Sequence, residues 1–85
     1  MADLQALANK LDKLQARENE GKGLSYVRMI VKFLRLGSVE MAKVVCNNES
    51  DKFHGLDEIQ DLLVLELFEG KDHPWFYSWG KRRAK

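Results

Sequence analysis

The sequence predicts an all-α domain, a small bundle of three to four helices with an aromatic, basic C-terminal segment. Apolar residues recur at spacings of three and four along most of the chain, which is the period of an α-helix. Residues that commonly cap or end helices lie between these stretches. We therefore predict helices at about 3–19, 25–36, 39–49 and 57–69, followed by the C-terminal segment at 73–85.

Length and composition indicate one folded domain. Eighty-five residues can bury a small core, and 45% hydrophobic with 32% charged residues is typical of a globular protein. A single cysteine excludes an internal disulfide framework and favours a reducing, cytoplasmic setting. We expect no membrane span and no signal peptide, because no apolar run is long enough and the N-terminus lacks a basic region before an apolar one.

The first predicted helix, 3–19, carries leucines at the a and d positions of two heptads. Asp3 is suited to cap it. The leucine stripe either covers the core of its own domain or forms the seam of a homodimer. Sustained coiled coils need three or more heptads, which favours the first interpretation. The stripe consists of Leu4, Leu7, Leu11 and Leu14.

The second predicted helix, 25–36, is the most strongly patterned stretch of the chain. Ser25 is suited to its N-cap, and Gly37 follows its last periodic residue, where a left-handed conformation suits glycine. An alternative is a β-hairpin over 26–46, because the stretch is rich in β-branched and aromatic residues. A half-buried strand should alternate, however, and residues 29–31 are all apolar, so a helix is favoured.

Ser38 and Asp57 are the predicted N-caps of the third and fourth helices. A polar loop at 47–55 separates these helices, and Phe53 is expected to anchor it. The fourth helix has a run of apolar residues on all sides, so we expect it to be central or to have a partner on its far side. An alternative β-hairpin over 64–79 is less favoured.

The charges are segregated along the chain, although the net charge is only +1. Residues 21–36 carry four bases and no acid, 54–72 carry six acids and one base, and 73–85 carry four bases and no acid. Such blocks indicate either internal charge pairing or a surface with separate poles. A protein made only to bind nucleic acid usually has a more basic total.

Three bases of the second helix form one candidate binding site, because spacings of four and three residues put them on one face. They could contact phosphates or an acidic protein. Alternatively they form a solvated face, or pair with acids of the fourth helix, namely Asp57, Asp61 and Glu66. The three bases are Arg28, Lys32 and Arg35.

The C-terminal segment, 73–85, is the second candidate binding site, since four of the eight aromatic residues lie within five positions. Aromatic and basic residues are enriched at protein interfaces, and they can also stack on bases, neutralise phosphates or lie at a membrane surface. Alternatively the aromatics cap the core and the basic end keeps the chain soluble. The candidate residues are Trp75, Phe76, Tyr77, Trp79, Lys81, Arg82 and Arg83.

Neither a metal site nor a catalytic centre is predicted. The spacings of Cys46, His54 and His73 match no metal-binding pattern, and Cys46 is expected to be a small buried apolar residue. The sequence has no phosphate loop and no nucleophile elbow. We therefore expect no enzyme and no cofactor, but a small regulatory or adaptor protein that binds another protein. The alternative is a nucleic-acid-binding protein that uses the basic helix face and the C-terminal segment.

Replacing Trp79 by alanine is expected to change the free energy of unfolding by no more than about 0.5 kcal/mol, because an interface anchor is exposed in the free protein. Removing a core tryptophan would instead cost about 3–5 kcal/mol. Chemical denaturation of the variant distinguishes the two cases. A loss of several kcal/mol would assign Trp79 to the core and remove it from the candidate binding residues.

Overall fold

The structure is a computed structural model that describes residues 3–17 and 24–75. Helices make up the fold, and the predicted all-α class is confirmed. Six of the candidate binding residues lie outside the described ranges: Phe76, Tyr77, Trp79, Lys81, Arg82 and Arg83.

The described residues form four α-helices and two shorter helical segments. A 3₁₀ turn lies between the third and fourth helices, and a π-helical segment continues the fourth. Both hairpin alternatives are wrong, because 26–46 is helical apart from one turn and the strand proposed from residue 64 is helical. The elements are α1 (Leu4–Arg17), α2 (Leu24–Arg35), α3 (Val39–Asn48), the 3₁₀ turn (Ser50–Phe53), α4 (Asp57–Leu62) and the π-helical segment (Leu63–Leu67).

The leucine stripe of α1 covers the core of its own chain. Leu7 and Leu11 have no exposed surface, and Leu4 and Leu14 pack partly buried against the same core. α1 contacts α2 and α4 along this face. The first interpretation of the stripe therefore holds for Leu7 and Leu11, which cannot contact a second copy while α1 stays in place. Oδ1 of Asp3 accepts the backbone N–H of Gln5 at 2.9 Å, so the predicted cap is confirmed.

α2 lies between α1 and α3 and buries one continuous apolar stripe, formed by Val27, Ile30, Val31 and Leu34. It begins at Leu24, so Ser25 lies inside its first turn and the predicted N-cap is wrong. Its C-terminal end is the predicted glycine cap. Gly37 has φ +79°, and the N–H of Ser38 donates to the carbonyl of Phe33 at 2.8 Å. The chain continues from this turn directly into α3.

The capping predictions for the other helices are partly correct. Ser38 is at the N-cap of α3 as predicted, although its side chain makes no capping hydrogen bond. Leu56 occupies the N-cap of α4, and Asp57 is the first helical residue, so that cap is displaced by one position. Phe53 is fully buried and anchors its loop, which confirms the prediction. Cys46 is also fully buried.

The π-helical segment was not predicted, since 57–69 was expected to be one α-helix. The N–H of Phe68 donates to the carbonyl of Leu63 at 3.1 Å, and the N–H of Gly70 donates to that of Val64 at 2.8 Å. These bonds span five and six residues, which widens the last turns. The wider turns bury Leu63, Val64 and Leu67, while Leu65 stays 51% exposed.

Trp75 closes the core beside the 3₁₀ turn and is only 3% exposed. Its Nε1–H donates to the backbone carbonyl of Ser50 at 2.8 Å. Its ring packs edge to face against Phe53 and Phe68, with centroids 5.3 and 6.2 Å away. Trp75 is therefore a core residue and not an exposed interface anchor. The sequence had left both roles open.

Trp75→Ala is expected to lower the free energy of unfolding by about 3–5 kcal/mol, because it removes a large buried ring. Trp75→Phe is the matched control. It keeps an aromatic ring and loses the hydrogen bond to Ser50, so we expect a smaller loss, of which the hydrogen bond accounts for about 0.5–1.5 kcal/mol. Urea denaturation followed by circular dichroism measures both variants. An unchanged midpoint for Trp75→Ala would contradict the packing described above.

Candidate protein-binding surface

The outward side of α2 is the candidate binding surface. Because the inward stripe of α2 is fixed by its packing against α1 and α3, the helical period turns other residues of α2 toward solvent, and Leu36 in the turn that follows α2 is exposed as well. Met29 is 43% exposed and Leu36 is 69% exposed, and two cations lie between or beside them. We call this set the α2 outer stripe; it consists of Arg28, Met29, Lys32 and Leu36.

Arg35, the third predicted base, does not belong to the α2 outer stripe. Its Nη2 donates to Oδ2 of Asp12 at 2.6 Å and to Oδ1 of Asn9 at 3.1 Å. Its backbone carbonyl accepts a hydrogen bond from Nε2 of Gln5 at 3.3 Å. The Arg35 and Asp12 side chains are 42% and 48% exposed, so the ion pair contributes at most about 1 kcal/mol. Arg35 thus ties the end of α2 to α1.

The alternative ion pairs between the α2 bases and the acids of the fourth predicted helix do not form among the described residues. Glu66 instead pairs with Lys10 of α1, at 3.2 Å between Nζ and Oε2. Arg28 and Lys32 form no ion pair or hydrogen bond within residues 3–17 and 24–75. The sequence of α2 contains no acidic residue, so Arg28 and Lys32 have no acid on their own helix to pair with.

A cleft of about 390 Å³ lies between α3 and the turn after the π-helical segment. Val44 and Phe68 contribute apolar surface, and Nζ of Lys43 lies 5.9 Å from the centre of the Phe68 ring. Glu69 and Asp72 on its wall have φ of +54° and +57°, a left-handed conformation that is unusual outside glycine. Three acids and two bases line the cleft, so it favours neither a negatively nor a positively charged ligand.

Sequence reasoning missed this cleft because its walls come from α3 and from a turn more than twenty residues later. Neither stretch carries a motif of its own. The left-handed residues gave no signal, since they are not glycines.

The thiol and imidazole groups do not form a metal centre in the described ranges, where no group of three or more His, Cys, Asp or Glu side chains is placed to hold an ion. Burial raises the pKa of Cys46 to about 12, so its thiol stays protonated at neutral pH. Within the same ranges, each helix is too short or too polar to cross a membrane.

No known protein family, curated protein or solved structure matches the chain.

His73 is 6% exposed, and its ring packs edge to face against Phe68, with the centroids 6.5 Å apart. Burial of the imidazole lowers its pKa below the ordinary value, because the protonated form loses hydration. The unfolded chain takes up this proton near pH 6.5, whereas the folded chain takes it up only at lower pH. The stability due to neutral His73 is thus full above about pH 6.5 and is lost as the pH falls toward the folded value.

His73→Gln is expected to weaken this pH dependence, because glutamine does not titrate. The measurement is the denaturation midpoint at several values between about pH 7.5 and pH 5. His54→Gln is the matched control for the loss of an imidazole, since His54 is exposed. Identical slopes for all three proteins would show that His73 takes up its proton equally easily in both states.

Proposed function

We propose that this chain is a small non-enzymatic regulatory or adaptor protein that binds another protein through the α2 outer stripe. One observation carries the proposal. Arg28 and Lys32 have no charge partner among the described residues, and they lie beside two exposed apolar side chains, Met29 and Leu36. In a protein contact, the two cations can attract acidic groups of the partner, and the two apolar side chains can become buried.

The apolar members favour a protein over a nucleic acid as the partner. Burying these side chains contributes a binding free energy of about 25 cal/mol per Å² of apolar area removed from water. A phosphate backbone offers little apolar surface that could bury them. The two cations supply orientation and a faster encounter with an acidic surface. The net charge of +1 also gives the whole chain little general attraction to a polyanion.

The C-terminal aromatic and basic residues are a second set of proposed contact residues. The aromatic members would supply apolar anchors, and the basic members would supply positive charge. Trp75 is excluded from this set because it lies in the core. The proposed contact residues outside the described ranges are Phe76, Tyr77, Trp79, Lys81, Arg82 and Arg83.

A non-enzymatic role and a cytoplasmic location are parts of the same proposal. Cys46 is supporting evidence for the first, because its buried and protonated thiol is unsuited to nucleophilic attack. The second is supported by the single cysteine, which forms no disulfide within the chain and suits a reducing compartment.

Reversing the stripe charges with Arg28→Glu/Lys32→Glu is expected to slow association with the partner about tenfold or more at low salt, because electrostatic steering is lost. A photo-crosslinking residue in place of Met29 identifies the partner in extract of the native host. Surface plasmon resonance then measures the rates with the purified partner.

Lys13→Glu/Lys52→Glu is the matched control, because it changes the net charge equally at exposed positions that are not part of α2. An equal loss in both variants would show that only net charge matters and would contradict the proposed surface. The nucleic-acid alternative would be supported instead by tight RNA or DNA binding that falls steeply with salt and is lost in Arg28→Glu/Lys32→Glu.

A further inference from the structure

We infer that the partner segment which covers the α2 outer stripe is an acidic amphipathic helix that lies lengthwise along α2. This inference rests on the proposed function and specifies the chemistry of the partner. It follows from the shape of the exposed surface, from the spacing of its charges and from the position of its apolar residues.

The shape of the surface is that of a helix with one side left open. α2 packs against α1 and against α3, so its remaining exposed side runs along the helix axis. Twelve residues at about 1.5 Å each make this side about 18 Å long. An elongated convex ridge is covered well by a second helix, whose side chains interdigitate with it.

The charges define what that second helix must carry. Arg28 and Lys32 are four residues apart, so they lie one turn from each other along α2, at a separation of about 6 Å. Two carboxylates one turn apart on a partner helix have the same separation. α2 has no acid to repel them, and Arg35 is already neutralised by Asp12.

The apolar residues define the rest of the pattern. Leu36 directly follows α2, and its N–H still donates to the carbonyl of Lys32 at 3.1 Å. Met29 and Leu36, seven residues apart, therefore lie about two helical turns or 10.5 Å from each other. A partner helix with apolar residues seven positions apart, on the same face as its acids, covers both side chains at once. Methionine is well suited to such a contact because its unbranched side chain adapts to the opposing surface.

The test uses a fluorescent synthetic peptide of about 18 residues, with leucines seven apart and glutamates four apart on one helical face. Two control peptides are needed. One has the same composition in an order that scatters the acids and leucines around the helix, and the other has lysine in place of each glutamate. Fluorescence anisotropy measures their binding to the full 85-residue chain.

The acidic amphipathic peptide is expected to bind at least about tenfold more tightly than the scattered peptide, because only the former can engage both cations and both apolar residues. Arg28→Glu/Lys32→Glu should abolish the difference, and the lysine peptide should then bind this variant in preference. Lys13→Glu/Lys52→Glu should retain the original preference. Met29→Ala and Leu36→Ala should each weaken binding several-fold without altering the far-ultraviolet circular dichroism spectrum.

Equal binding of the ordered and scattered peptides would overturn the inference, and so would an equal effect of the control variant. The failure of the proposed function looks different. If the photo-crosslinked partner depends on Arg28 and Lys32 while the ordered peptide does not bind, the α2 outer stripe is a protein-binding surface but its partner is not an acidic helix. If the partner is indifferent to Arg28 and Lys32, the proposed function itself fails.

Discussion

The need to cover α2 is the constraint on which the rest of the domain depends. Val27, Ile30 and Leu34 have no exposed surface, and they need apolar neighbours on two sides. α1 supplies one side with its leucines, and α3 supplies the other immediately after the turn at Gly37. The remaining side faces solvent, while the other apolar stretches among the described residues pack into the core. Core and candidate binding surface are therefore two sides of the same helix.

Local signals were enough to predict much of this arrangement. The leucine period of α1, the cap at Asp3 and the glycine end of α2 each depend on residues within a few positions of one another. The same is true of Phe53, an isolated aromatic in a polar loop, whose only stable place is the core. Arg28 and Lys32 were predicted as site residues because their spacing already puts them on one face, and the inward stripe of α2 determines that this face is exposed.

The features that were missed depend on which helices become neighbours. Arg35 pairs with Asp12 because α1 and α2 pack side by side, and Glu66 pairs with Lys10 because α4 and its extension lie near α1. Blocks of charge along the sequence cannot identify these partners, since the pairing follows tertiary packing. Trp75 likewise enters the core because the carbonyl of Ser50 and two aromatic rings meet there, and nothing in its local sequence distinguishes that position from an exposed one.

The π-helical segment gives this domain tolerance for a change in chain length. A π turn holds one residue more than an α turn, so Leu63–Leu67 resembles an α-helix that has absorbed a one-residue insertion. The surplus is accommodated where Leu65 projects outward, and the inward side chains on both flanks stay in contact with the core. A homologue that lacks one residue here could therefore keep the same core with an ordinary α-helix. A sequence alignment that assumes equal helix lengths would then place the one-residue gap of this homologue at the wrong end of the element.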